Sequence, residues 1–236
     1  MTFIGNLLGS LMKLIFDFVS GIGTENELIS YYGITIIITT IIFKLILLPI
    51  SLHQNKSTKK MNELQPKIQE IQKKYKNDPQ TQQAKLAELY KEYNYNPMSG
   101  CLILLIQFPI IIAMFNVLRN PVQFVFRDPA IYESINKGFL WIPNLEQPDP
   151  YIWGLPLLAG LTTYLQSRFM NASTGSNPQV ESTQRFMNVF ITVMIFMAAR
   201  SFPAGLSLYW VVSNIVQIVQ QLIMKRSLGN IKEETK

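Results

Sequence analysis

Lys44 is the one charge in the run 34–50, a stretch of Ile, Leu, Thr and Phe ending in Pro49 and Ile50. A helix from about residue 32 to 52 spans roughly 30 Å, the thickness of a bilayer's hydrocarbon core. Lys44 then lies within the hydrocarbon, somewhat nearer one end, where a lysine costs about 2.5–3.5 kcal/mol on insertion scales. Two arrangements reduce that cost. The side chain can bend toward the headgroups, or it can face water inside the protein and serve there as a fixed positive charge for an anionic or polar guest. Other polar residues favour the second arrangement. Trp210, Ser213, Asn214, Gln217, Gln220 and Gln221 recur at helical spacing along a late apolar segment. Gln107 and Asn116, Thr162, Thr163 and Gln166, and Thr40 one turn before Lys44 add to the set. Amides in hydrocarbon must find partners, and singly each is satisfied by bonding a neighbouring helix. A charge needs more, and none of the apolar segments contains an acidic residue to pair with Lys44. A water-filled groove holding one positive charge satisfies both requirements, and its chemistry is electrostatic capture.

Bond-making chemistry has little support in this sequence. It contains no Walker A pattern, no metal-ligand cluster and no Ser/His/Asp or Cys/His set, so no enzyme activity and no cofactor are expected. Cys101 is the only cysteine and is read as a small apolar contact at a helix start. His53, the only histidine, is read as an exposed residue at the end of the first span.

The elements that must position the polar set are long apolar blocks, so the chain reads as an all-α polytopic membrane protein. Its mean hydropathy of +0.17 is diluted by the polar stretch from His53 to Asn96. Five transmembrane helices are expected at 31–52, 97–118, 151–168, 185–202 and 205–225, around a hydrophilic groove. A cytoplasmic hairpin is expected at 53–96, an outer loop at 119–150, an inner loop at 169–184 and a tail at 226–236. Residues 1–30 read as an extracytoplasmic amphipathic helix in the interface, with Leu7, Leu8, Leu11, Leu14, Ile15 and Phe18 at helical spacing. A cleavable signal peptide is the alternative, but Lys13 and Asp17 interrupt its core and a basic start is missing.

Counting cations orients the chain. One side collects Lys56, Lys59, Lys60, Lys67, Lys73, Lys74, Lys76, Lys85, Lys91, Arg168, Arg185, Lys225, Arg226, Lys232 and Lys236. The other holds Lys13, Arg119, Arg127, Lys137 and Arg200. The positive-inside rule therefore places the N-terminus outside and the C-terminus in the cytoplasm of a cell membrane. The net charge of +6 reports this asymmetry, and no DNA partner is needed to explain it.

Within 53–96, Met61, Leu64, Ile68, Ile71 and Tyr75 alternate steps of three and four, a coiled-coil seam. Asn77, Asp78 and Pro79 supply a stop, an N-cap and a first-turn proline, and Leu86, Leu89, Tyr90 and Tyr93 give the returning helix its stripe. The hairpin's lysines suit acidic membrane lipid, a ribosome or a targeting factor, or serve only topology and solubility.

Several stretches carry a family resemblance. Pro203-Ala204-Gly205-Leu206-Ser207-Leu208-Tyr209-Trp210-Val211-Val212-Ser213-Asn214 resembles the last-helix signature of the YidC/Oxa/Alb membrane protein insertases. Leu48-Pro49 with Gln54-Asn55-Lys56-Ser57, Asn96-Pro97-Met98-Ser99-Gly100-Cys101 and Gln107-Phe108-Pro109 agree in order and spacing. So do Phe139-Leu140-Trp141-Ile142-Pro143 and Pro148-Asp149-Pro150-Tyr151, and the match runs from about Gly33 to Met224. The resemblance, to the Gram-positive type, implies a groove open to cytoplasm and lipid but closed outside, with a mobile hairpin. It also implies insertion and chaperoning of nascent membrane proteins, with or without the Sec translocon, and engagement of ribosome and signal recognition particle pathway. Most members place an arginine where this chain has Lys44. The expected substrate groove comprises Lys44, Thr40, Gln107, Thr163, Gln166, Trp210, Asn214 and Gln217. A small-solute or anion transporter, with Lys44 as counter-charge, is the competing reading, and a passive assembly scaffold is a third.

Overall fold

A computed structural model describes the backbone of residues 2–23, 25–26, 28–96, 99–171 and 178–234. Side chains are described for 3–23, 25–26, 28–57, 59–96, 107–170, 182 and 185–224, so Cys101 lies outside them. The described chain is helical: α1 (Thr2–Ile22), α2 (Tyr31–Ile46), α3 (Leu48–Lys74), α4 (Pro79–Glu92), α5 (Ser99–Arg119), α6 (Pro129–Ser134), α7 (Leu155–Asn171), α8 (Pro178–Ser201) and α9 (Ala204–Glu234). A π-helical turn, Val122–Phe126, follows α5. By length and composition α1 and the Ala204–Met224 part of α9 can cross a membrane, and Gln107–Arg119 is a shorter apolar helix.

The run holding Lys44 is bent. Ser30 caps α2 by accepting a 3.1 Å hydrogen bond from the Gly33 amide. The helix continues to Ile46, and the chain turns by 60° into α3 at Leu47. Pro49, in the first turn of α3, has no amide proton to return to the Leu45 carbonyl, and the break falls where that bond is lost. Taken as one element, the bent pair is a third segment long and apolar enough to cross a bilayer.

Beyond the bend, α3 and α4 pair as a hairpin with its own small core. Leu64 and Ile68 bury against Leu89 and Tyr95, with Met61, Ile71, Leu86, Tyr90 and Tyr93 packed around them. Asp78 caps α4 through the Thr81 amide at 3.1 Å, with Pro79 in its first turn. The Lys67 ammonium donates to the Tyr93 hydroxyl, and Lys60 reaches the Asn94 carbonyl at 3.1 Å.

The main core gathers α1, α2, α5, α7, α9 and the segment between α5 and α7. α1 buries Leu8, Met12, Ile15 and Phe16 and leaves Phe3, Leu7, Leu14 and Phe18 exposed, so it has two apolar faces. One faces protein and the other suits lipid. Its approach to the π turn is very close: a Cβ on Gly9 would stand 2.2 Å from the Phe124 carbonyl oxygen. Backbone cannot yield as a side-chain tip can. Gly9→Ala should therefore push α1 away and destabilise the protein by about 1–3 kcal/mol, the range for overpacking. Thermal unfolding in detergent would measure it, and an unchanged midpoint would mean that α1 does not pack this way.

Candidate polar site between three helices

α9 packs against both α2 and α7, so it is the element around which the polar residues are arranged. Toward α7 they form a bonded cluster. Thr162 and Thr163 donate their hydroxyl protons within their own helix, to Leu158 and Ala159 carbonyls at 2.7 Å each. Their oxygen lone pairs are thereby left for α9. Asn214 donates its amide to the Thr162 and Thr163 oxygens at 3.1 and 3.0 Å, and the Trp210 indole donates to Thr163 at 3.1 Å. Asn214 is only 6% exposed, so these bonds replace water that it has lost.

Toward α2 the arrangement is different. Thr35 and Thr40 donate to the Tyr31 and Ile36 carbonyls of their own helix at 2.7 and 2.6 Å. The buried Thr39 hydroxyl has no partner among the described residues. Lys44 lies one turn beyond Thr40 and is 7% exposed. Among the described residues the ion pairs are Lys13–Asp17, Lys85–Glu88 and Lys137–Glu146, and none involves Lys44. A buried ammonium without a carboxylate gives an anion an unscreened partner.

The expected groove residues are thus sorted. Trp210, Asn214 and Thr163 are brought together by direct bonds, and Lys44 and Thr40 share the buried part of α2. Gln166 and Gln217 are half-buried, each one turn along its helix from that cluster. Gln107 of α5 faces the buried Tyr209 hydroxyl together with Ser213, but that hydroxyl makes no hydrogen bond of ordinary geometry. Thr162 belongs in the site as fully as Thr163. Tyr209 was missed because tyrosine reads as apolar bulk in an apolar segment. Its place four residues before Ser213, on one helix face, was the available signal.

The opposite end of the bundle is closed by the segment between α5 and α7. The Ala204 and Gly205 amides, first in α9, donate to the Gln147 and Leu145 carbonyls at 2.8 Å, so loop backbone caps the helix. Asp149 accepts from the Leu155 amide at 2.7 Å, the Tyr151 amide at 2.9 Å and the Trp141 indole at 3.1 Å. A Cβ on Gly154 would lie 2.3 Å from the Asp149 carboxylate, so only glycine leaves room for that acceptor. Glu146 accepts from Tyr132 and pairs with Lys137 at 3.2 Å.

A buried lysine and hydrogen-bonded polar side chains between helices, in a bundle whose helices include some long and apolar enough to cross a bilayer, define a helical membrane protein with a polar interior. Comparison narrows the class. The family model described as 60Kd inner membrane protein matches residues 24–232. A membrane protein insertase YidC of Clostridium tetani is 39% identical, covering 96% of this chain and 95% of its own. That of Fusobacterium nucleatum is 39% identical over 96% and 99%, and that of Caldanaerobacter subterraneus 34% identical over the full length of both. A solved structure described as an active YidC insertase with the first transmembrane domain resolved superposes with a TM-score of 0.59 at 31% identity. It is matched over 80% of this chain and 40% of its own. The chain belongs to this family of membrane protein insertases. The names of these relatives favour insertion over solute transport.

Proposed function

We propose that this chain inserts integral membrane proteins into a bacterial cell membrane and helps them fold. The observation that carries the reading is Lys44, a buried cation with no carboxylate partner among the described residues. In this reading α2 with the start of α3, α5, α7, α8 and α9 are five spans, with the N-terminus outside and the C-terminus in the cytoplasm. The hairpin of α3 and α4 receives a nascent membrane protein, and its lysines engage acidic lipid, the ribosome or the signal recognition particle pathway. The substrate's short outer tail enters beside α9. Lys44 holds an acidic group of that tail, while Gln107, Asn214 and Gln217 replace part of the hydration it loses.

No chemical step is needed. As the substrate's apolar segment moves into lipid, burial returns about 25 cal/mol per Å². The membrane potential contributes about 2.3 kcal/mol per acidic charge moved outward per 100 mV. The closed outer end keeps the bilayer sealed, so the tail crosses only the thin remaining barrier. The same physics operates with the chain alone or beside the Sec translocon.

The test is complementation. Cells depleted of their own insertase and supplied with this chain should again insert a single-span protein with an acidic outer tail, read by protease accessibility of that tail. A chain that reaches the membrane and restores no insertion would defeat the proposal.

A further inference from the structure

At the end of the bundle closed by the segment between α5 and α7, a cavity of about 560 Å³ remains between the end of α5, that segment and the turn from α8 into α9. Its size falls in the range of about 300–1,000 Å³ typical of small-molecule sites. One side is apolar: Phe115, Leu118 and Phe202 line it, and the Phe115 and Phe202 rings meet edge-on at 5.6 Å. Phe202 is 40% exposed, so this wall is open to the surroundings. The other side is charged, with Arg119 and Glu146 both lining the cavity. Glu146 is already committed, since Tyr132 donates to one of its oxygens and Lys137 pairs with the other. Arg119 is not. Its guanidinium lies 5.5 Å from the centre of the Phe115 ring, and none of the ion pairs among the described residues includes it. The cavity therefore keeps an uncompensated positive charge.

Arg119 is the last residue of α5, and the apolar helix Gln107–Arg119 ends with it. Arg200 stands in the last turn of α8, next in sequence to the Ser201 that lines the cavity. With α5 and α8 as spans, both cations lie where hydrocarbon gives way to headgroups. The negative end of a helix favours a cation by itself. It does not account for an open apolar wall beside that cation. A phosphate joined to an acyl chain matches both features: the guanidinium fork takes the phosphate oxygens, and Phe115, Leu118 and Phe202 take the chain. Because the remaining charge is positive, a headgroup of net negative charge fits better than a zwitterion. We infer that this cavity binds a phospholipid of the leaflet it meets, the outer one in the orientation proposed above, and prefers phosphatidylglycerol. The site is separate from the surroundings of Lys44 and from the hairpin lysines. The inference rests on α5 and α8 crossing the bilayer and not on insertion. The bound lipid fills the gap between α5 and the α8–α9 turn.

The test is photolabelling of the full-length chain in phosphatidylcholine vesicles. A minor fraction of the lipid is phosphatidylglycerol with a diazirine near the carboxyl end of an acyl chain, and it should label Phe115, Leu118 or Phe202. Arg119→Gln removes the phosphate's partner and should cut that labelling about tenfold, the scale of a charge-assisted hydrogen bond. Arg119→Lys keeps the charge and should retain most of it. Ser201→Trp fills the cavity without altering charge and should abolish labelling, so the result does not hang on how one variant folds. Arg127→Gln loses the same charge from the segment after α5 but does not line the cavity, and should label as wild type does. Unlabelled phosphatidylglycerol should displace the probe better than phosphatidylethanolamine, and soluble glycerophosphate should not displace it. Displacement by glycerophosphate as effective as by lipid would mark a site for a soluble anion and overturn the inference. Equal labelling of every variant, spread along the exposed faces of α7 and α8, would mark bulk lipid only and overturn it too. Insertion does not enter this readout, so a failed complementation defeats the insertase reading without touching the lipid site.

Discussion

A Lys44→Glu chain reaches the membrane and folds, yet fails to insert a protein whose outer tail is acidic. Lys44→Arg inserts it within about threefold of wild type, and Lys44→Met falls between. The expectation follows from charge and burial. At 4 Å and an effective dielectric near 20, two unit charges interact by about 4 kcal/mol, or roughly a thousandfold in occupancy. Reversing the sign converts that attraction into repulsion, and removing it leaves only the amides. Arginine keeps the charge and adds a planar fork that suits carboxylates, so it should preserve capture although its geometry differs. The low exposure of Lys44 makes a second expectation: added salt should weaken insertion far less than it would weaken binding to the exposed hairpin lysines. The measurement is protease protection of the tail in insertase-depleted cells for each variant. Equal insertion by all of them would remove Lys44 from the mechanism.

Much of the arrangement around α9 is written in spacing. A stripe of Trp210, Asn214 and Gln217 needs only the helical repeat to be seen, and the hairpin stripes with Asn77, Asp78 and Pro79 are equally local signals. What spacing leaves out are partners and angles. Thr162 and Thr163 receive bonds from α9 because two helices meet there, which no single-helix pattern encodes. The 60° turn at Leu47 depends on Pro49, which a hydropathy count reads as one more residue of the span. An amphipathic pattern in residues 1–30 predicts an apolar face but not that Gly9 lets it lie against the Phe124 backbone. Asp149 illustrates the same limit. In the sequence it is one acidic residue between two prolines, and its three donors come from residues two, six and eight positions away.

That constellation makes Asp149→Ala the substitution expected to cost the most stability. Hydrogen bonds to a charged acceptor contribute about 1.5–3 kcal/mol each when buried, and an abandoned buried donor adds a penalty. Leu155 is buried and its amide is left without a partner. Trp141 and Tyr151 are partly accessible, so water replaces much of what their donors lose. The net cost is then about 3 kcal/mol, which for a chain of this size lowers the thermal midpoint by about 6–12 °C. Asp149→Asn should cost less, because its carbonyl oxygen still accepts while its amide opposes one donor. The change also reaches the polar site. Asp149 fixes the first turn of α7, and Thr162 and Thr163 lie two turns farther along that helix. Loosening the start of α7 should therefore weaken insertion in Asp149→Ala even at temperatures where it remains folded. Tryptophan emission gives a local readout, since Trp141 and Trp153 stand 6.4 Å apart beside the carboxylate. A midpoint within 2 °C of wild type, with unchanged emission, would show that Asp149 does not hold this end of the bundle closed.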